Sequence, residues 1–412
     1  MKGLLEKGSI VILLGTGGVG KTTVAAAIGL AGAAASLKTA VITVDPARRL
    51  RDALGLERLG GTPTAISARQ MRAAGLDSSH HLAAMVLDVK GAWDAILERF
   101  VTDKATLKRI FENPFYQSLT AEFAGSEAFA ALQQLYDLHQ EKTFDFEVVD
   151  TPPAAHAFEF LDAPARMIRL LDSRTARWLF TPSLAAGRLA ARFASEAARF
   201  VVRELERFAG SNVLTTIADF FAAAAESVDA IVDRMHKTEA LLQSPAVKFV
   251  LVTTAEPDRL RQAEELVREM EDDGLNLGAI VINRFLDERT WTQVEAGAAD
   301  PLEHLREVSG LDAADHADRN GTGSSGIVGF FKDYRERTLD DIERVAAFED
   351  SIPARVQLAI APELDVGVGD MAALGRIAHC LTNGTRILRP LAASAAKLRK
   401  HPAARRERIA SK

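Results

Sequence analysis

The sequence predicts an α/β protein: a doubly wound, mostly parallel sheet that carries a phosphate-binding loop, with helical segments inserted between its strands. Three observations predict it. Short, near-continuously apolar runs alternate with helical stretches along the chain, as strands covered on both faces require. The first run leads directly into "GTGGVGKTT" (15–23), and a helical pattern follows that loop. Two long helical blocks then interrupt the alternation without replacing it.

The elements follow in order. "SIVILL" (9–14), "TAVITV" (39–44), "FEVV" (146–149), "KFVLVTT" (248–254) and "LGAIVIN" (277–283) read as buried strands, and "VQLAIA" (356–361) as a sixth. A helix over 257–273 has Pro257 in its first turn and Gly274 just past its end. The helical blocks run from Ala92 to Gln140 and from Ala165 to Gln243. In the second, Leu189, Phe193, Phe200, Leu205 and Phe208 share one face, and Arg188, Arg192, Arg199, Arg203 and Arg207 lie on another. Val213, Ile217, Phe220, Ile231 and Met235 continue the helical spacing. "DRNGTGSSG" (318–326) has linker composition. The resulting division is core at 1–91, helical insertion at 92–140, core at 141–164, helical subdomain at 165–243, core at 244–385 and a basic tail at 386–412.

Composition narrows the function classes. A net charge of −6 gives no reason to expect a nucleic-acid partner. The single cysteine, Cys380, excludes an internal disulfide, an all-cysteine zinc site and an iron–sulfur cluster held by one chain, and suits a reducing cytoplasm. "MKGLLEKGSIVILLG" does not read as a signal peptide, and no apolar run reaches the length of a membrane span. The segment from Arg386 holds nine Lys/Arg against one acid, Glu407, and reads as a solvated, frayed end, with a weak contact to an anionic membrane or RNA as the sharper alternative.

Three segments carry chemistry. In the loop Gly15–Thr16–Gly17–Gly18–Val19–Gly20–Lys21–Thr22–Thr23, the glycines let the backbone turn and aim amides at phosphates. The following helix adds its positive end. Lys21 is expected to neutralise the β and γ phosphates, and the Thr22 hydroxyl to hold Mg²⁺. "VDPARRLRD" (44–52) puts Asp45 at the carboxyl end of a strand, where such sheets bind ligands. In "FDFEVVDTPPAAH" (144–156), Asp150 ends a strand as an acid that supports Mg²⁺, and two prolines stiffen the loop beyond it.

Together "GTGGVGKTT", "VDPARRLRD" and "VVDTPPAAHAFEFLDAP" resemble the loop and two switches of the ArsA-type ATPases, the arsenite-pump and tail-anchored-protein-targeting family, within the wider class of MinD and ParA. "AIVINRF" (279–285) and "IAPELDVGVGDMAAL" (360–374) resemble that family's adenine-side segments, and the resemblance covers most of residues 8–380. It implies a Mg²⁺-dependent ATPase in which Asp45 orients the attacking water, Asp150 supports the metal and senses the γ-phosphate, and Asn283 binds adenine with Pro362 nearby. His156 falls where the family has a histidine and is read as a hinge or packing residue. Thr16 stands where family members commonly carry a lysine that crosses to the partner's phosphates.

One phosphate loop per chain implies a homodimer, or a heterodimer with a paralogous ATPase. The helical faces suit a plain helical core first, and a hydrophobic protein client as the alternative. Two other readings stay open: an arsenite-pump subunit, which a single cysteine opposes, and a nucleotide-gated binding module with little turnover, which Thr16 favours.

Overall fold

The computed structural model describes residues 1–44, 49–77, 79–114, 116–117, 120, 126–151, 163–165, 168, 220, 223, 227–309, 324–364, 369–383 and 388–400. Along the chain run β1 (Ser9–Leu14), α1 (Lys21–Ala34), β2 (Thr39–Thr43), β3 (Thr64–Ala65), β4 (Leu82–Val86), α2 (Val89–Phe100), α3 (Ser126–Glu141) and β5 (Phe146–Asp150). They are followed by α4 (Val228–Leu242), β6 (Val247–Thr253), α5 (Pro257–Asp272), β7 (Leu277–Ile282), α6 (Ser324–Ser351), β8 (Gln357–Ile360), α7 (Met371–Asn383) and α8 (Leu388–Lys400), with shorter helices between.

The eight strands form one sheet in the order β3-β4-β2-β5-β1-β6-β7-β8. Every pairing is parallel except that of β3 with β4. The predicted doubly wound α/β fold is therefore the observed one. Side chains alternate between two apolar layers. Ile10, Ile12, Ile42 and Phe249 pack with α5 and α6 on one face, and Val11, Leu13, Val41 and Val250 pack with α1 and α7 on the other. Both faces being covered is why the strands read as continuous apolar runs. The chain leaves β1 for β2 on one side and later crosses to β6 on the other. The carboxyl end of β1 thus lies at the topological switch point, where a ligand cleft opens in such sheets.

The helical segments between the strands build a third core. Trp93, Ile96 and Leu97 of α2 meet Ile231 and Met235 of α4, and Tyr116 stacks on Phe220 at 6.0 Å. A buried polar clamp ties α3 to α4. Arg234 donates from Nε to Gln133 Oε1 at 2.8 Å, pairs with Asp137 at 2.6 Å and lies over the Tyr136 ring. α3 leads into β5 and α4 leads into β6, so the clamp stands just upstream of two central strands.

Three features depart from the sequence reading. Strands β3 and β4 lie outside the six predicted runs. β4 is "LAAMV", whose alanines have weak strand preference, and β3 is two residues long. The segment 318–326 has linker composition, yet α6 begins within it at Ser324; residues 310–323 lie outside the described residues. The start of the basic tail is an ordered helix and not a frayed end. Leu388, Leu391, Ala395 and Leu398 of α8 are buried in the core that α6 also lines, while Arg399 pairs with Asp340 and Glu343 of α6. The helical spacing of those four residues outweighs the charge count, because the basic side chains occupy the opposite face.

Candidate functional site

The loop between β1 and α1 sits on the carboxyl edge of the sheet. Gly15 has φ +150°, and a Cβ there would come within 2.3 Å of the Val252 carbonyl oxygen of β6. Gly20 has φ +88°, and a Cβ there would strike the Asn283 side-chain nitrogen at 2.3 Å. Both positions therefore require glycine. Gly17 and Gly18 are exposed, whereas Val19 is buried as the loop's apolar anchor. α1 begins at Lys21 with no side-chain cap and no acidic residue in its first turn. Its free amides and positive dipole end face the loop unopposed, which favours an anion.

Lys21 is buried against this loop. Its ammonium donates to the Gly15 carbonyl at 2.8 Å and to the Thr16 carbonyl at 3.3 Å, which holds the charge inside the ring of backbone. The Thr16 hydroxyl oxygen is itself buried and has no hydrogen-bond partner among the described residues. Thr22 donates to Asp150 Oδ2 at 2.7 Å, across 128 residues of sequence. Asp150 ends β5 and is buried beside β1 and β2, and Thr43 of β2 donates to the same oxygen at 3.2 Å. A hydroxyl and a carboxylate converging beside a lysine are hard oxygen donors of the kind Mg²⁺ takes, so the residues present fit that ion. Among the described residues no cluster of three or more His, Cys, Asp or Glu gathers as a metal site.

A second cleft of about 190 Å³ adjoins the loop. Thr23, Asn283 and Pro362 line it together with Arg284, Leu374 and Ile377. Asn283 is buried, and its amide donates to the Val19 carbonyl at 2.8 Å, joining the end of β7 to the phosphate loop. Ala361 donates to the Ile282 carbonyl, which places Pro362 beside Asn283 on the neighbouring strand end.

Of the sequence-predicted residues, the structure brings Gly15 to Thr23, Asp150, Asn283 and Pro362 to one edge of the sheet. Asp45 and His156 lie outside the described residues, as do the faces at 189–208. β2 ends at Thr43, and Val44 donates to the Asp150 carbonyl at the same edge. Sequence reasoning missed Thr43 and Thr151. Thr151 donates to the Leu13 carbonyl at 2.5 Å and fixes the exit of β5 against β1. The available signal was a hydroxyl residue at the carboxyl end of an apolar strand.

Comparison with known proteins agrees with this geometry. The family model described as anion-transporting ATPase matches residues 9–308. A protein named as an arsenical pump-driving ATPase in Halobacterium salinarum is 28% identical over 172 residues, 41% of this chain and 26% of that protein. ATPase ASNA1 homolog 2 of Paramecium tetraurelia is 29% identical over 178 residues, 42% of this chain and 50% of that protein. ATPase GET3 of Malassezia globosa is 25% identical over 272 residues, 66% of this chain and 71% of that protein. The chain thus spans a quarter to a half of the length of the first two relatives and more of the third. With the family model covering most of its length over this loop and strand arrangement, the chain belongs to the anion-transporting ATPase family of phosphate-loop ATPases.

Proposed function

We propose that the chain hydrolyses ATP to ADP and phosphate with Mg²⁺ at this site, and that its nucleotide state governs the binding of a partner protein by the helical segments. One observation carries the reading: Lys21 is held inside the loop at 2.8 Å from the Gly15 carbonyl, while Thr22 and Asp150 meet at 2.7 Å beside it. Lys21 neutralises the β and γ phosphates. The Thr22 hydroxyl holds the Mg²⁺, and the Asp150 carboxylate supports it. The bound ion neutralises charge on the phosphate oxygens. Asp45 orients the attacking water, and Asn283 and Pro362 seat the adenine. Thr16 contributes a neutral hydroxyl where a partner-reaching lysine would supply charge, so turnover by the chain alone is slow.

One loop per chain supports assembly as a homodimer or with a paralogous ATPase. The resemblance of the loop and switch segments to the tail-anchored-protein-targeting ATPases favours a targeting role, with a hydrophobic protein segment as client. The solitary cysteine supports a cytoplasmic setting. Among the described residues no helix is long and apolar enough to cross a membrane. The relative named for an arsenical pump favours a second reading. Cys380 opposes it. The residue is buried, and burial followed by the nearby Glu295 carboxylate pushes its thiol up to about 12, away from the thiolate that soft arsenic requires.

Calorimetric titration of Mg·ATP tests the assignment. Lys21→Ala should lose measurable binding, whereas Asp45→Asn should bind nearly as the wild type does and release phosphate slowly. Unchanged ATP affinity in Lys21→Ala overturns the site.

A further inference from the structure

Arg284 follows Asn283 directly and lines the same cleft. Its backbone is left-handed, with φ +55°, and Leu286 two residues on has φ +61°. Backbone hydrogen bonds fix this turn. Asn283 donates to Thr253 O at 2.8 Å, Phe285 to Ala361 O at 2.9 Å and Glu363 to Leu286 O at 2.8 Å. For any residue with a Cβ the left-handed region is disfavoured, and glycine adopts it freely. The turn thus retains a long cationic side chain where the backbone alone would favour glycine, and strain of this kind concentrates where a side chain has a task.

The surroundings indicate the task. Arg284 is exposed and makes no hydrogen bond or ion pair with the described residues. Lys21 and the amino end of α1 already offer the positive charge that phosphates require. The cleft it lines has an apolar wall from Leu374 and Ile377 and a rigid edge at Pro362, a lining suited to a flat heterocycle. Two carboxylates, Glu363 and Asp370, border the same cleft, and Asp370 accepts from the Ala372 amide. A guanidinium is planar and weakly hydrated, and it stacks on aromatic faces as an ammonium does not.

We propose that Arg284 is a specificity-determining residue of the base cleft, its guanidinium lying on the face of a purine and favouring purine over pyrimidine nucleotides. The proposal rests on the nucleotide reading above and names the side chain that selects the base. Its backbone cost is accepted because the positive-φ turn aims that side chain from the strand end that Asn283 also occupies.

Calorimetric titration with ATP, UTP and inorganic tripolyphosphate, each with Mg²⁺, tests it in wild type, Arg284→Gly and Arg284→Lys. Arg284→Gly should weaken ATP binding about 5- to 30-fold, the range of a desolvated cation–aromatic contact. It should weaken UTP less, leave tripolyphosphate unchanged and keep or raise the melting temperature, because glycine suits the turn. Arg284→Lys should recover only part of the ATP affinity. Two outcomes overturn this proposal while leaving the phosphate site standing. One is wild-type ATP affinity in Arg284→Gly. The other is equal loss of ATP and tripolyphosphate. A wild-type protein that binds neither ATP nor tripolyphosphate overturns the nucleotide reading and this proposal together.

Discussion

Glu147 lies on the central strand β5, three residues before Asp150, with its side chain only 2% exposed. Its Oε1 has no hydrogen-bond partner among the described residues, and His139 Nδ1 stands 3.3 Å from Oε2. Burial pushes the Glu147 carboxyl above its ordinary range, and His139 offsets this only in part. A carboxyl raised in the folded state takes stability away as pH climbs from the unfolded value, about 4.3, through the folded one. Below the unfolded value both states hold the proton and the penalty vanishes. Glu147→Gln should therefore stabilise the protein at pH 8, by about 1 kcal/mol on the scale of a buried polar group short of a partner, and by little near pH 4. Urea midpoints across that range check it. A difference that stays flat or reverses with pH would show that Glu147 is folded at no electrostatic cost.

Most of the helices brace the sheet, and three of them also build a core beyond it. α8 braces it. Leu391 is fully buried in the core shared with α6, and Lys397 two turns on is exposed. Leu391→Ala should cost about 2–4 kcal/mol by transfer and cavity together, whereas Lys397→Ala should stay within about 0.5 kcal/mol. Thermal unfolding distinguishes the two. Equal melting temperatures for both variants would mean that α8 is not docked in solution. α2, α3 and α4 share a further core, while Leu132 and Leu135 of α3 and Leu242 of α4 are buried in the sheet core as well, and the Arg234 clamp to Gln133 and Asp137 joins α3 to α4.

At the scale of the molecule, the sheet gathers one edge from segments far apart in sequence, so ligand binding there should stabilise the whole fold. Mg·ATP at about 100 times its dissociation constant should raise the unfolding free energy of the wild type by about 2.7 kcal/mol and leave Lys21→Ala unmoved. Sedimentation of the same samples reads assembly. The wild type should shift toward a dimer with nucleotide, and Lys21→Ala should not. A nucleotide-induced thermal shift without any change in sedimentation would sink the dimeric switch and leave the binding site intact.

Much of this was written in the chain itself. "SIVILL" before "GTGGVGKTT" specifies a buried strand feeding a phosphate loop, because only glycine tolerates the turn and only a strand covered on both faces is apolar throughout. Asn283 and Pro362 were legible by resemblance, and Asp150 by its place at a strand's carboxyl end. The pairing of Thr22 with Asp150, the second hydroxyl from Thr43 and the seating of Asn283 on the Val19 carbonyl were not. Those contacts span 107 to 264 residues and depend on strand order, which periodicity does not encode. The same holds for α8, whose charges are conspicuous in sequence while its leucines find a partner only once α6 is in place. Local physics chose the elements. The long-range burial of two sheet faces decided which of them share an edge, and so where the loop and the cleft beside it lie.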